Sequence, residues 1–433
     1  MTKSAKAFTG FLSLNLIACL LGNFVDQYDL FLFSSIRVSS LKSLGLEGQA
    51  VLESGIFLLN IQLLGMFIGG FLGGILGDKI GRLSILFGSI IVYSLANLAN
   101  AYVHTVPEYA FCRFFAGLGL AGELGACITV ILEILPIAIR GYGTMLLMAF
   151  GHVAAITASV LSNLVDWRTN FIIGGTMGLF ILLLRMSAKE PEIFLKVTQS
   201  NIQRGNFFTL VSNWKNLKKY IACILTSTPT WFCFAVLVIF APEIGPHLGV
   251  TEKIQPEKYM PLYFIGLVLG DISSGVLGQV FKTRKLIILT YISALILLSV
   301  YYLTQRHMTL TELSILVALF GFFSSYTVLS FTLAAEQFGT NVRATAATTT
   351  PNFVRASGIL FTASFGFLKL KLGIIPAAAT VGFFGLGAAF LSALSLKDTF
   401  GKDLDYVEGA DAETYFVRPG RSDLEDRLAK APS

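Results

Sequence analysis

Apolar stretches of about 20 residues recur along nearly the whole chain, and each is long enough to cross ~30 Å of hydrocarbon as one helix. Inside hydrocarbon every backbone polar group must find its partner within the protein, which leaves helices as the element for such runs. Of 433 residues, 54% are hydrophobic and 13% charged, about half the charge that a soluble surface carries. A soluble enzyme is thereby excluded, and the chain reads as a polytopic membrane protein in contact with the lipid bilayer. The net charge of +6 does not point to nucleic acid, because Lys and Arg are spread along short connections without a basic stripe and interleaved aromatics. Cys19, Cys112, Cys127, Cys223 and Cys233 all lie in apolar stretches without CxxC spacing, so they read as packing residues and not as a metal or disulfide framework.

Apolar runs bounded by charge or by Gly and Pro predict an all-α protein of twelve transmembrane helices, near 8–36, 51–77, 83–103, 107–135, 142–163, 170–186, 220–245, 259–281, 286–303, 310–335, 344–368 and 374–396. With the termini inside, cytoplasmic segments before the tail collect sixteen Lys and Arg against eight outside, and the positive-inside rule selects that orientation. The first run exceeds the ~7–15 residues of a signal-peptide core and is read as a retained helix. The expected organisation is a six-helix bundle over 1–186, a basic linker loop over 187–219, a second bundle over 220–396 and a solvated cytoplasmic tail over 397–433. The absence of Asn-x-Ser/Thr sequons fits a bacterial inner, or plasma, membrane.

The two halves repeat one another. Gly74-Ile-Leu-Gly-Asp78 is echoed 201 residues later by Gly275-Val-Leu-Gly-Gln279, and Glu133 with Arg140 recurs 203 residues on as Glu336 with Arg343. Two related six-helix halves suit alternating access, in which bundles rock about a site near the midplane.

Gly74-Ile-Leu-Gly-Asp78-Lys-Ile-Gly81-Arg82 resembles the signature loop of the major facilitator superfamily. Gly22-Asn23-Phe-Val-Asp26-Gln-Tyr28-Asp29, Arg113-Phe-Phe-Ala-Gly117 with Gly122-Glu123, Asp166-Trp167-Arg168 and Glu190-Pro-Glu192 add a resemblance to its metabolite:proton symporter branch, whose members take up citrate, dicarboxylates, shikimate, or proline and betaine. The likeness is strongest over the first 200 residues. The chain departs from the branch in having Asp26-Gln27 for Glu-Trp, Leu83 for the second basic residue of the loop, and Gln279 for Asp in the second copy. The resemblance implies two pseudo-symmetric bundles, a monomer, and proton-coupled uptake of a small polar organic solute, a carboxylate, with the proton gradient in place of any cofactor. Transport of a carboxylate siderophore or drug-like compound on the same scaffold, and a non-transporting membrane sensor, are the alternatives.

A charge at bilayer depth costs at least ~2.5–3.5 kcal/mol, so each one is a functional candidate. Asp26 lies roughly 27 Å from the cytoplasmic start of its helix and Arg113 roughly 9 Å from the outer start of its own. This places both in the outer half and predicts a pair between the first and fourth spans. Asp29 shares the face of Asp26, and Glu123 stands ten residues beyond Arg113. Asp26, Asp29, Arg113 and Glu123 are the proton-coupling candidates, with a purely structural pair as the bland alternative. Arg355, roughly 18 Å into its span, is either the anion ligand or the partner of Asp271 or another buried acid, and Asp271 is otherwise a gating residue. Tyr28, Tyr142, Thr144, His152, Thr230, Trp231, Ser325 and Tyr326 complete the candidate substrate wall, with His152 also readable as an interhelical hydrogen bond. Gly74, Asp78, Gly81, Arg82, Glu133, Arg140, Glu336 and Arg343 form the expected conformational lock, a set of charges and close helix approaches that must break for inward opening. No Ser/His/Asp, Cys/His or metal-ligand cluster appears, and His104, His152, His247 and His307 are scattered, so catalysis is not expected.

Overall fold

The computed structural model describes residues 14–47, 49–136, 139–185, 208–211, 213–252, 254, 256–340 and 342–401. Among these, twelve spans follow in order: α1 Leu14–Ser43, α2 Gln49–Ile80, α3 Arg82–Asn100, α4 Val106–Ile134, α5 Arg140–Leu161, α6 Trp167–Arg185, α7 Trp214–Val238, α8 Pro256–Val280, α9 Lys285–Thr304, α10 Leu310–Glu336, α11 Arg343–Leu372 and α12 Ile374–Ser395. Ten contain windows long and apolar enough to cross a membrane, while α3 and α6 hold shorter apolar helices. No strand occurs among the described residues.

Local chemistry starts corresponding helices in the same way in both halves. At α4 the Thr105 hydroxyl accepts from the Glu108 amide, while the Glu108 carboxylate accepts from the Thr105 amide. Thr309 and Glu312 repeat this reciprocal cap at α10, 204 residues further on, satisfying amides that a helix N-terminus leaves open. The α2–α3 turn needs Gly81, whose φ of 109° excludes most side chains.

Two spans are interrupted where the sequence weakens the helix. α7 bends at Thr228 before Pro229 and then widens into a π-helical segment, Cys233–Val238, since Pro229 brings no amide to the ladder. α10 breaks at Ser325–Tyr326 and resumes at Thr327.

Three expected boundaries shift. α1 runs to Ser43, beyond the expected end at 36, with the Ser39, Ser40 and Ser43 hydroxyls donating to carbonyls three residues back. α7 begins at Trp214, inside the expected linker, because Asn213 caps the Lys215 amide. The tail does not leave the protein directly after α12. The Asp398 carboxylate accepts from the Thr283 hydroxyl and from the amides of Arg284 and Lys285 at the start of α9, and Thr399 donates to Glu336. Residues 402–433, most of the linker, and the Glu190-Pro-Glu192 motif lie outside the described residues.

Lys79, Arg140, Arg284, Lys285 and Arg343 mark one end of the bundles, here called the basic face. There the bundles meet closely. An added Cβ on Gly74 would stand 3.0 Å from Thr345 Cα of α11, and one on Gly125 of α4 would fall onto the Thr348 backbone. Small residues let helices approach in this way without a hydrophobic driving force. At the other end Phe31 of α1 packs edge-on against Phe264 of α8, with centroids 4.7 Å apart.

Candidate functional site

Between these closures lies a cavity of about 70 Å³, lined from the first bundle by Gln27, Leu30, Phe31, Met148 and His152 and from the second by residues including Trp231, Phe234, Tyr263, Phe331 and Arg355. Pockets that hold organic solutes run to ~300–1,000 Å³, so this cavity is occluded and the bundles must part to admit a solute. A larger apolar groove of about 640 Å³ between α9 and α12 lies away from the buried charges.

α1 supplies two fully buried acids one helical turn apart, and they face different arginines. The expected Asp26–Arg113 pair is replaced by Asp29–Arg113, with Arg113 Nη1 donating to Asp29 Oδ1 at 3.3 Å. Asp26 instead stands within electrostatic range of Arg355 on α11. At 3.6 residues per turn a three-residue step leaves the two carboxylates on the same side of α1 but offset by about 60°, enough for Asp29 to meet Arg113 within the bundle while Asp26 stands toward Arg355 of the other. The Arg113 guanidinium also lies over the rings of Phe33 and Phe171, 5.2 and 5.5 Å from their centroids, which favours the cation in a place without water.

Arg355 lines the cavity and donates from Nη1 to Asn352 Oδ1 at 3.4 Å. The acid considered as its partner, Asp271, is engaged elsewhere: its Oδ2 lies 2.6 Å from His152 Nδ1, linking α8 to α5 across the bundles. Glu123, fully buried in α4, accepts from the hydroxyl of Ser89 at 3.2 Å and from the thiol of Cys127 at 3.4 Å, so polar neighbours surround it within its bundle.

The remaining wall candidates separate. Trp231 and Thr230 join Arg355 and His152 at the cavity. Tyr28 turns to α6 and donates to Asn170 Oδ1 at 3.1 Å. Tyr326 is buried in the second bundle and donates to the Thr226 carbonyl at 2.7 Å. Ser325 donates back to the Phe322 carbonyl, Thr144 bonds Thr332 at 3.0 Å, and Tyr142 packs near the basic face. All five stand off the cavity. Sequence reasoning marks Gln27 only as a departure from the branch and misses Phe31, Phe234, Tyr263 and Phe331, because in largely apolar spans an aromatic residue at the cavity looks like one in lipid.

At the basic face the described members of the expected lock fall into two groups. Glu133 Oε1 accepts from Arg343 Nη1 at 3.3 Å across the bundles, while Glu336 takes Arg284 through two bonds of 2.8 and 2.7 Å. Arg140 Nε donates to the Leu135 carbonyl at 3.1 Å. The Thr345 hydroxyl donates to the Gly74 carbonyl and Asn352 Nδ2 to that of Ala121, both between bundles. The side chains of Asp78 and Arg82 lie outside the described residues.

Comparison with known proteins places these features in context. The family model described as Major Facilitator Superfamily matches residues 19–363. The putative niacin/nicotinamide transporter NiaP of Bacillus subtilis (strain 168) is 24% identical, over 78% of this chain and 84% of its own. The cis,cis-muconate transport protein of Acinetobacter baylyi (strain ATCC 33305 / BD413 / ADP1) is 26% identical, over 88% and 92%. Among solved structures, the proton:xylose symporter XylE bound to 6-bromo-6-deoxy-D-glucose superposes with a TM-score of 0.71 at 19% identity, covering 93% of this chain and 98% of that one.

Proposed function

The chain belongs to the Major Facilitator Superfamily, and from that premise we propose that it takes up a small planar carboxylate together with protons by alternating access. The observation that carries this reading is the cavity wall, in which Arg355 stands among Phe31, Trp231, Phe234, Tyr263 and Phe331. Guanidinium meets carboxylate in a fork geometry, and ring faces and edges suit a flat, unsaturated body. The names of the relatives, a niacin transporter and a cis,cis-muconate transporter, support the same class.

Charge balance gives the coupling. A substrate carboxylate at Arg355 adds a second negative charge beside Asp26, and in a buried site one of the two must be neutralised. A proton on the α1 carboxylates does so, with Asp29 held by Arg113 one turn away. The substrate set is Arg355, His152, Trp231 and Thr230, and the proton-coupling set is Asp26, Asp29 and Arg113, with Glu123 as a polar support within α4.

The basic face is cytoplasmic in this reading, as are both termini, in the inner membrane of a bacterium. The spans from Leu14 to Arg185 and from Trp214 to Ser395 form the rocking bundles of a monomer. Glu133, Arg343, Glu336, Arg140, Gly74 and Gly81, with Asp78 and Arg82, hold its cytoplasmic side shut. The test is uptake of nicotinate and cis,cis-muconate into proteoliposomes under an inward proton gradient. Saturable, proton-driven uptake by the wild type and its loss in Arg355→Ala are expected. Uptake indifferent to the proton gradient, or normal in Arg355→Ala, contradicts the reading.

A further inference from the structure

We propose that His152 and Asp271 form a second proton-binding site, separate from the α1 carboxylates, which carries one proton per cycle and is opened by the separation of the bundles themselves. The inference rests on the proposed proton-coupled uptake and adds a stoichiometry to it. Its basis is a single contact. His152 Nδ1 and Asp271 Oδ2 lie 2.6 Å apart, His152 is on the cavity wall, Asp271 is fully buried, and α5 and α8 belong to different bundles. Asp271 Oδ1 has no hydrogen-bond partner among the described residues, so His152 is the neighbour that compensates this carboxylate.

The proton count follows from burial. A neutral imidazole beside a carboxylate leaves one net negative charge away from water, which is costly. One added proton makes the pair neutral, whether it sits as imidazolium with carboxylate or as imidazole with carboxylic acid. The titratable and charged groups facing the pair are Tyr263 of α8 and Tyr291 of α9, both within electrostatic range of Asp271, and Arg355 of α11 on the same cavity. α1 contributes Gln27 to that wall, with Asp26 behind it toward Arg355, while α7 and α10 contribute Thr230, Trp231, Thr327 and Phe331. None of these donates the compensating proton in a hydrogen bond to Asp271. With the bundles closed the pair therefore holds its proton. When α5 and α8 part toward the cytoplasm, water reaches both groups, the proton leaves to bulk, and imidazole and carboxylate are hydrated separately. A pair within one bundle would stay closed during rocking, whereas this one must break in every cycle.

The experiment measures steady-state accumulation of cis,cis-muconate and of nicotinate in proteoliposomes, with the membrane potential clamped at zero and protein-free vesicles as blank. One pH unit supports about tenfold accumulation per coupled proton. Two sites therefore give the wild type about a hundredfold gradient per unit, and Asp271→Asn, which mimics a carboxyl that never releases its proton, about tenfold. Substrate exchange at equal pH needs no proton release and persists in Asp271→Asn, which shows that the variant is folded. A wild-type slope of tenfold per unit overturns the second site whatever the variant does, and so does an Asp271→Asn slope equal to that of the wild type. If neither probe accumulates in the wild type under a pH step, the proposed function fails first and the second site with it.

Discussion

Glu133 at the end of α4 and Arg343 at the start of α11 form a fully buried ion pair that joins the two bundles at the basic face. Each residue has a counterpart 203 positions away, but the pairing does not follow the repeat, because Glu336 is taken by Arg284 and Thr399. The second bundle thus ties its own helices together through the glutamate of its copy of the motif and offers the arginine of that same copy across the interface. Removing one member of a buried pair takes from the other the compensation that member gave, at a cost of up to roughly 3–5 kcal/mol. An Arg343 released into water escapes that cost.

Glu133→Gln is therefore expected to shift the protein toward the state open on the basic face, by up to ~3 kcal/mol or more than a hundredfold in population. Spin labels at Lys79→Cys and Lys282→Cys, both exposed on that face, read the opening as a longer distance on a background without the native cysteines. An unchanged distance distribution assigns the closure to other contacts.

Gly125 supports the same closed state by shape. Thr348 of α11 rests against it so closely that an added methyl overlaps the Thr348 backbone. Gly125→Ala should cost about 1–3 kcal/mol in the closed state, the usual range for overpacking, and little once the bundles part. The same labels should lengthen in distance. A second-site change of Thr348→Gly leaves the backbone clash in place and should not restore the distance, whereas restoration shows that the side chain was the obstacle.

How far the sequence reaches is visible in α1. Apolar length and bounding charges place the helix, and the cost of burying a charge singles out Asp26 and Asp29. Depth alone then pairs the wrong acid with Arg113, since depth along a helix carries no information about rotation around it. The same gap hides Phe31, Phe234 and Phe331, which line the cavity on helices without a polar face. His152 and Asp271 are legible as buried polar residues one by one, but their contact joins helices 119 residues apart in the chain. The tail is misjudged for a different reason. Its composition is polar, yet the cap that Asp398 provides for α9 depends on a helix N-terminus supplied by another part of the chain.

That cap gives a pH dependence outside the membrane. Burial pushes the Asp398 carboxyl up, but the Thr283 hydroxyl and the amides of Phe400, Arg284 and Lys285 together hold it below its usual value. A carboxylate whose folded value is depressed contributes stability that is present above its unfolded value, near ~3.9, and is lost as pH falls through the folded one. Asp398→Asn should lower the melting temperature at pH 7 by roughly 1–2 °C, the scale of a helix cap of about 0.5–1 kcal/mol. The difference from wild type should shrink below about pH 4. A difference that stays constant from pH 7 to pH 3.5 assigns the effect to shape and not to charge.

The two acids of α1 should respond in opposite ways when neutralised, because their arginines differ in what else they touch. Arg355 lines the occluded cavity with Asp26 within electrostatic range, and in the proposed function a substrate carboxylate entering there competes with Asp26 for it. Asp26→Asn removes the competitor, so substrate affinity at neutral pH should rise by about 1–2 kcal/mol at an effective dielectric near ~20, or roughly 5- to 30-fold. Affinity should also lose most of its pH dependence, and uphill uptake through this site should fail. Arg113 lines none of the described cavities; among the described residues it meets Asp29, Phe33 and Phe171, with Tyr109 within electrostatic range. Asp29→Asn leaves its charge with two aromatic faces and no counter-ion, so thermal stability should drop while substrate affinity does not rise. Isothermal titration between pH 5.5 and 8, run beside thermal unfolding of both variants, separates the two. Tighter binding in Asp29→Asn, or weaker binding in Asp26→Asn, reverses the assignment of the two acids.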